Sequence, residues 1–120
     1  MKISRLDHVQ LAIPVGREDD ARAFYGKILG LPEKPKPPDL AKRGGAWFEN
    51  GDVKIHLGID SNFHPAKKAH PALVVSDLVA FIAHLRQSGV EVDDEDLARY
   101  HRVYVSDPFG NRIELIDGMQ

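Results

Sequence analysis

At 120 residues, 42% hydrophobic and 28% charged, the chain has the size and composition of one folded domain and not of a disordered or membrane-spanning segment. A net charge of −2, with both signs mixed along the sequence, offers no basic field for a phosphate backbone and argues against a nucleic-acid partner. Cysteine is absent, which excludes disulfides, thiolate metal sites and cysteine nucleophiles, so a bound metal would have to be held by imidazole and carboxylate.

The opening Met1-Lys2-Ile3-Ser4-Arg5-Leu6-Asp7 places charge where a signal peptide needs an apolar run. No stretch approaches the roughly 20 apolar residues of a spanning helix. A cytoplasmic protein with no membrane partner is expected. Residues 6–13 then alternate, with Val9, Leu11 and Ile13 on one side and His8, Gln10 and Ala12 on the other, which predicts a strand. Pro14 and Gly16 end it. Glu18, Asp19 and Asp20 suit a helix N-terminus, Ala21, Phe24, Tyr25 and Ile28 follow at helical spacing, and Gly30 stops the helix. Lys34-Pro35-Lys36-Pro37-Pro38 reads as an extended connection. Strands at residues 45–49 and 53–59, joined by Asn50-Gly51-Asp52, close the first half, with room for one further short strand.

The order then repeats. A strand at residues 69–75 leads through Ser76 and Asp77, both able to cap, into a helix with Leu78, Phe81, Ile82 and Leu85 in one stripe and Gly89 at its end. After the acidic loop Asp93-Asp94-Glu95-Asp96 come strands at residues 102–106 and 112–116, joined by Asp107-Pro108-Phe109-Gly110-Asn111. His8 and His70 are 62 positions apart, Gly30 and Gly89 are 59 apart, and His56 and Glu114 are 58 apart. Lys54-Ile55-His56-Leu57 matches Arg112-Ile113-Glu114-Leu115. The expected fold is α+β, with two tandem βαβββ modules, about 1–62 and about 67–120, forming a curved mixed sheet or half-barrel cup within a single domain over residues 1–120.

Strand phase selects the candidate site, because neighbouring side chains point to opposite faces. His56 opposes Ile55 and Leu57, Glu114 opposes Ile113 and Leu115, and His8 opposes Val9. His70 shares its face with Ala72 and Val74, so there only the repeat assigns it to the cup. Three imidazoles and a carboxylate suit a divalent transition metal such as Zn, Ni, Co, Mn or Fe. Four ligands would leave positions open for two neighbouring substrate oxygens, with Glu114 a ligand that can also carry a proton. Without His56, the set His8, His70 and Glu114 is the two-histidine, one-carboxylate triad associated with Fe(II). Arg102 and Tyr104 are expected on the cup face as substrate contacts. Gln10 and either Trp47 or Phe48 are weaker candidates. His64, His84, His101 and the acidic run 93–96 are expected to be solvated.

At Leu6-Asp7-His8-Val9, Ala23-Phe24-Tyr25-Gly26-Lys27-Ile28-Leu29-Gly30-Leu31, Ala69-His70-Pro71-Ala72 and Asp107-Pro108-Phe109-Gly110-Asn111-Arg112-Ile113-Glu114-Leu115, the sequence resembles the vicinal oxygen chelate superfamily. The superfamily includes glyoxalase I, fosfomycin- and bleomycin-resistance proteins and extradiol dioxygenases. The resemblance implies a glyoxalase-like fold, the ligand set His8, His56, His70 and Glu114, a small-molecule substrate and a homodimer. Glyoxalase I commonly has a glutamate where this chain has His56. The expected activity is lyase- or isomerase-type chemistry on a substrate with vicinal oxygens. The alternatives are a metal-free, bleomycin-resistance-like binding protein and a ring-cleaving dioxygenase.

Overall fold

Apolar residues at every second position build most of the expected strands in the computed structural model, which describes residues 1–119. The chain divides into two units, Met1–His64 and a second beginning at Pro65.

The first unit starts with β1 (Val9–Ile13), shorter than the alternation from residue 6 predicts. Helix α1 (Glu18–Ala21) carries its three acidic residues in the first turn and runs directly into a π-helical segment, Arg22–Ile28. That wider turn shows in the five-residue step from the Leu29 N–H to the Phe24 carbonyl, 2.8 Å. A two-residue strand, β2 (Glu33–Lys34), supplies the further strand. Within the proline-rich connection a short helix α2 (Pro38–Ala41) departs from the extended expectation. Pro38 stands in its first turn, where the missing N–H costs nothing. The hairpin β3 (Ala46–Asn50) and β4 (Val53–Ile59) completes a mixed sheet of order β1-β4-β3-β2, with β1 parallel to β4. Leu11, Ile13, Ala46, Phe48, Ile55 and Leu57 are buried with Ala21, Phe24 and Tyr25 of the helical segment. Tyr25 stacks on Phe48 at 6.0 Å between ring centres.

The second unit repeats the plan. β5 (Ala72–Val75) begins three residues later than expected. The Asp77 carboxylate caps α3 (Leu78–Gln87) by accepting from the Ala80 N–H at 3.1 Å. A four-residue helix α4 (Leu97–Tyr100) interrupts what the sequence suggests is plain loop, and β6 (Arg102–Ser106) and β7 (Arg112–Asp117) follow. The sheet order is β5-β7-β6, and the strand equivalent to β2 is reduced to a single bridge between Asp93 and Tyr104. Val103, Val105, Ile113 and Leu115 are buried with Leu78, Ile82 and Leu85 of α3. The result is an α+β fold of two mixed sheets, neither closed into a barrel. Among the described residues no helix is long and apolar enough to cross a membrane.

In each unit one sheet face is spent on the helix. The opposite face carries the polar side chains.

Candidate functional site

In the first unit the register puts Gln10 opposite His56 and Trp47 opposite His56, so these three share the face turned away from the core. Strands β1 and β3 flank β4, and the His56 ring lies between an aromatic ring from each side. Trp47 stacks on it at 4.2 Å and 6°, and His8 at 4.3 Å and 22°. Glu49, two residues beyond Trp47, lies on the same face, and its Oε2 accepts from His56 Nε2 at 2.7 Å. That hydrogen bond, helped by the Lys34 charge, holds the Glu49 carboxyl below its usual range. His8 Nδ1 donates to Asp7 Oδ2 at 3.0 Å, and this bond together with Lys54 likewise lowers Asp7. Gln10 lies along the bare backbone of Gly58, where an added Cβ would meet its amide. Phe48, the alternative to Trp47, points the other way and is fully buried.

In the second unit Ala72 and Tyr104 both pair with Glu114, placing the three on one face. The ambiguity at His70 resolves there. Val74 on its face is 70% exposed, so apolar character along β5 does not mark the core side. His70 Nδ1 donates to the Lys68 carbonyl at 2.8 Å, and His70 Nε2 lies 2.9 Å from Glu114 Oε1. Tyr104 meets the His70 ring edge-on at 5.6 Å. Arg102 reaches the same face, where its Nε and Nη2 bond Asp96 Oδ2 at 3.0 and 2.9 Å and its Nη1 stands 3.7 Å from Glu114 Oε2. Asp96 is therefore engaged, contrary to the expectation of a merely solvated acidic run.

The pair His70–Glu114 fits a divalent cation. A carbonyl oxygen can only accept, so Nδ1 carries a ring proton and Nε2 is the nitrogen left to face the carboxylate. The two atoms stand 2.9 Å apart, where a proton on Nε2 joins them directly and where both atoms are of the kind that ligate a divalent cation. In the first unit the same reasoning leaves His8 Nε2 and His56 Nδ1 as the uncommitted nitrogens. The candidates come in pairs: among the described residues no group of three or more His, Asp or Glu side chains stands ready to hold a metal.

Sequence reasoning missed Glu49, Asp96 and Arg112. The signal for Glu49 was its place two residues after Trp47, usable only once that strand's phase is known. Arg112 sits in the same alternation that picked out Glu114, and its Cζ lies 3.9 Å from the centre of the Tyr104 ring.

Residues 5–115 match the model of the Glyoxalase/Bleomycin resistance protein/Dioxygenase superfamily. Among solved structures, a glyoxalase family protein from Bacillus anthracis is 52% identical with a TM-score of 0.91, over 98% of this chain and 97% of that one. TnmS3, an antibiotic binding protein from Streptomyces sp. CB03234, is 25% identical with a TM-score of 0.73, over 98% of both chains. Lactoylglutathione lyase from Agrobacterium tumefaciens, at 21% identity and a TM-score of 0.64 over 92% of both chains, shares the fold. No curated protein matches the chain. Members of the matched superfamily bind small molecules, commonly use divalent metals and often form dimers. The repeated units and a family match over nearly the whole sequence agree, and the chain belongs to the Glyoxalase/Bleomycin resistance protein/Dioxygenase superfamily.

Proposed function

We propose that the protein is a metal-dependent enzyme acting on a small substrate with vicinal oxygens, by lyase- or isomerase-type chemistry. The observation that carries this reading is the convergence of an imidazole nitrogen and a carboxylate oxygen, His70 Nε2 and Glu114 Oε1 at 2.9 Å, both able to ligate a metal. His70 and Glu114 are the proposed ligands of the second unit, and His8 and His56 those of the first. A bound Zn, Ni, Co, Mn or Fe ion would supply Lewis acidity toward two neighbouring substrate oxygens. The Lys68 carbonyl fixes the tautomer of His70. Arg102 stands 3.7 Å from the second oxygen of Glu114, and Glu114 is the residue proposed to exchange a proton with substrate. The protein is further proposed to work as a homodimer in the cytoplasm.

Metal analysis and Co2+ titration of chelator-stripped protein test the reading. One ion per ligand set is expected in the wild type, with affinity lost in His70→Ala and lowered at least tenfold in Glu114→Gln, while circular dichroism stays native. Wild-type protein that takes up no divalent metal, or variants that bind it unchanged, would refute the assignment.

One observation favours a second reading. Trp47, His56 and His8 stack into one column of rings and His56 Nε2 is already bonded to Glu49, as suits an aromatic wall against which a ligand packs rather than a metal site. A metal-free binding protein, the class that the printed name of TnmS3 describes, would take up its ligand equally well with and without chelator.

A further inference from the structure

Arg112 opens β7 and stands two residues before Glu114, so both side chains leave the same face of the strand. Its guanidinium carbon lies 3.9 Å from the centre of the Tyr104 ring, close enough for the aromatic face to attract the cation. Tyr104 in turn meets His70 edge-on, so Arg112, Tyr104, His70 and Glu114 form one continuous cluster.

The two arginines of this cluster differ in how their charge is used. Arg102 gives two nitrogens to Asp96 and approaches Glu114 with the third, and the Asp96 bond raises its pKa further. Arg112 has no such engagement: among the described residues no carboxylate pairs with it, and its cation lies over the tyrosine ring. A guanidinium held over an aromatic face by its charge spends none of its N–H groups on that contact. Those donors form a planar fork that matches an oxyanion in bidentate fashion.

We propose that Arg112, seated on Tyr104, is the oxyanion-recognition residue of this site, so that the substrate carries a carboxylate or phosphoryl group beside the part that faces His70 and Glu114. Residues two apart on a strand are separated by about 7 Å, a span that one small substrate covers. The inference rests on the proposed reading of this face as the substrate site. It names the substrate class that the metal ligands leave open: a small anion, with Arg112 and not Arg102 as its anchor.

The test uses metal-free protein, so that it is independent of the metal assignment. Inorganic phosphate and acetate are titrated separately while the backbone amide resonances are followed by NMR. Saturable shifts centred on Tyr104, Arg112 and Glu114 are expected, and Arg112→Gln should weaken binding by roughly tenfold or more, the scale of a charge-assisted hydrogen bond. Arg112→Lys should recover part of the affinity, because it restores the charge without the fork, and Arg102→Gln should have a smaller effect. Saturation by phosphate alone or acetate alone identifies which oxyanion the fork fits and supports the proposal. No saturation with either probe, or binding unchanged in Arg112→Gln, overturns it. His70→Ala protein that has lost metal yet still binds the probes would separate failure of the metal reading from failure of this one.

Discussion

His56 is the most constrained side chain of the first unit. The rings of Trp47 in β3 and of His8, just ahead of β1, cover its faces, and the Glu49 carboxylate accepts a hydrogen bond from its Nε2. Glu49 therefore selects the tautomer that leaves Nδ1 as the acceptor, the role that carboxylates play behind metal-bound or substrate-bound imidazoles. In metal-free Glu49→Ala, the 15N shifts of His56 should move from a single Nε2-protonated form to a mixture of tautomers. Glu49→Gln should keep most of the single form, because its amide oxygen still accepts that proton. Unchanged shifts in Glu49→Ala would mean that stacking alone sets the ring. The residues of this face were unevenly legible in the sequence. His8, His56 and Glu114 stood out because each opposes apolar neighbours in a regular alternation. Trp47 could not be separated from Phe48, since Ala46 to Asn50 gives no clean period, and Glu49 stayed hidden with it. His70 was obscured by Ala72 and Val74, apolar residues that lie on the polar face.

The elements depend on turns whose partners lie far away in sequence. Buried Asp107 accepts from the N–H groups of Phe109 and Asn111 through one oxygen and from Asn111 Nδ2 through the other, each at 2.9 Å. Asn111 Oδ1 accepts from the Ala66 N–H, 45 residues away in sequence, and the Arg112 N–H donates to the Ala66 carbonyl. The turn thus clasps the segment leading to His70 against the start of β7, which fixes the register that aims Glu114 at His70. Asn111→Ala leaves the Ala66 donor and an Asp107 oxygen without those partners, and should cost about 2–3 kcal/mol in urea unfolding. A loss below about 0.5 kcal/mol would mean that water replaces the clasp. Gly45 plays a comparable part ahead of β3. Its φ is +80°, and a Cβ there would overlap the Leu57 carbonyl oxygen, so Gly45→Ala should misplace the strand bearing Trp47 and Glu49. Five-residue turns also explain why the helix of the first unit read correctly in extent but not in kind. Phe24, Tyr25 and Ile28 satisfy helical spacing, and no local signal separates an α from a π turn.

For the molecule as a whole, repetition within one chain was the most legible feature, since matching strands and helix ends recur at nearly constant spacing. The second sheet lacks a full fourth strand because residues 93–96 are Asp and Glu, which bridge to β6 only once, at Asp93. The homodimer is a claim at this scale, and the apolar surface bears on it. Ile3 and Leu6 precede β1 without joining a strand and are 96% and 76% exposed. Burying such side chains is worth about 1.5–3 kcal/mol each. A two-fold interface would count each residue twice, giving a total comparable to the cost of association, about 4–15 kcal/mol. These residues alone would then leave a dimer marginal, and losing them would tip it toward the monomer. Light scattering should find twice the 13.4 kDa chain mass for the wild type, falling toward a single chain mass in Ile3→Asp/Leu6→Asp with circular dichroism unchanged. A wild-type chain that runs as a monomer at tens of micromolar would rule out the dimer, and one that stays dimeric in the double variant would move the interface away from this segment.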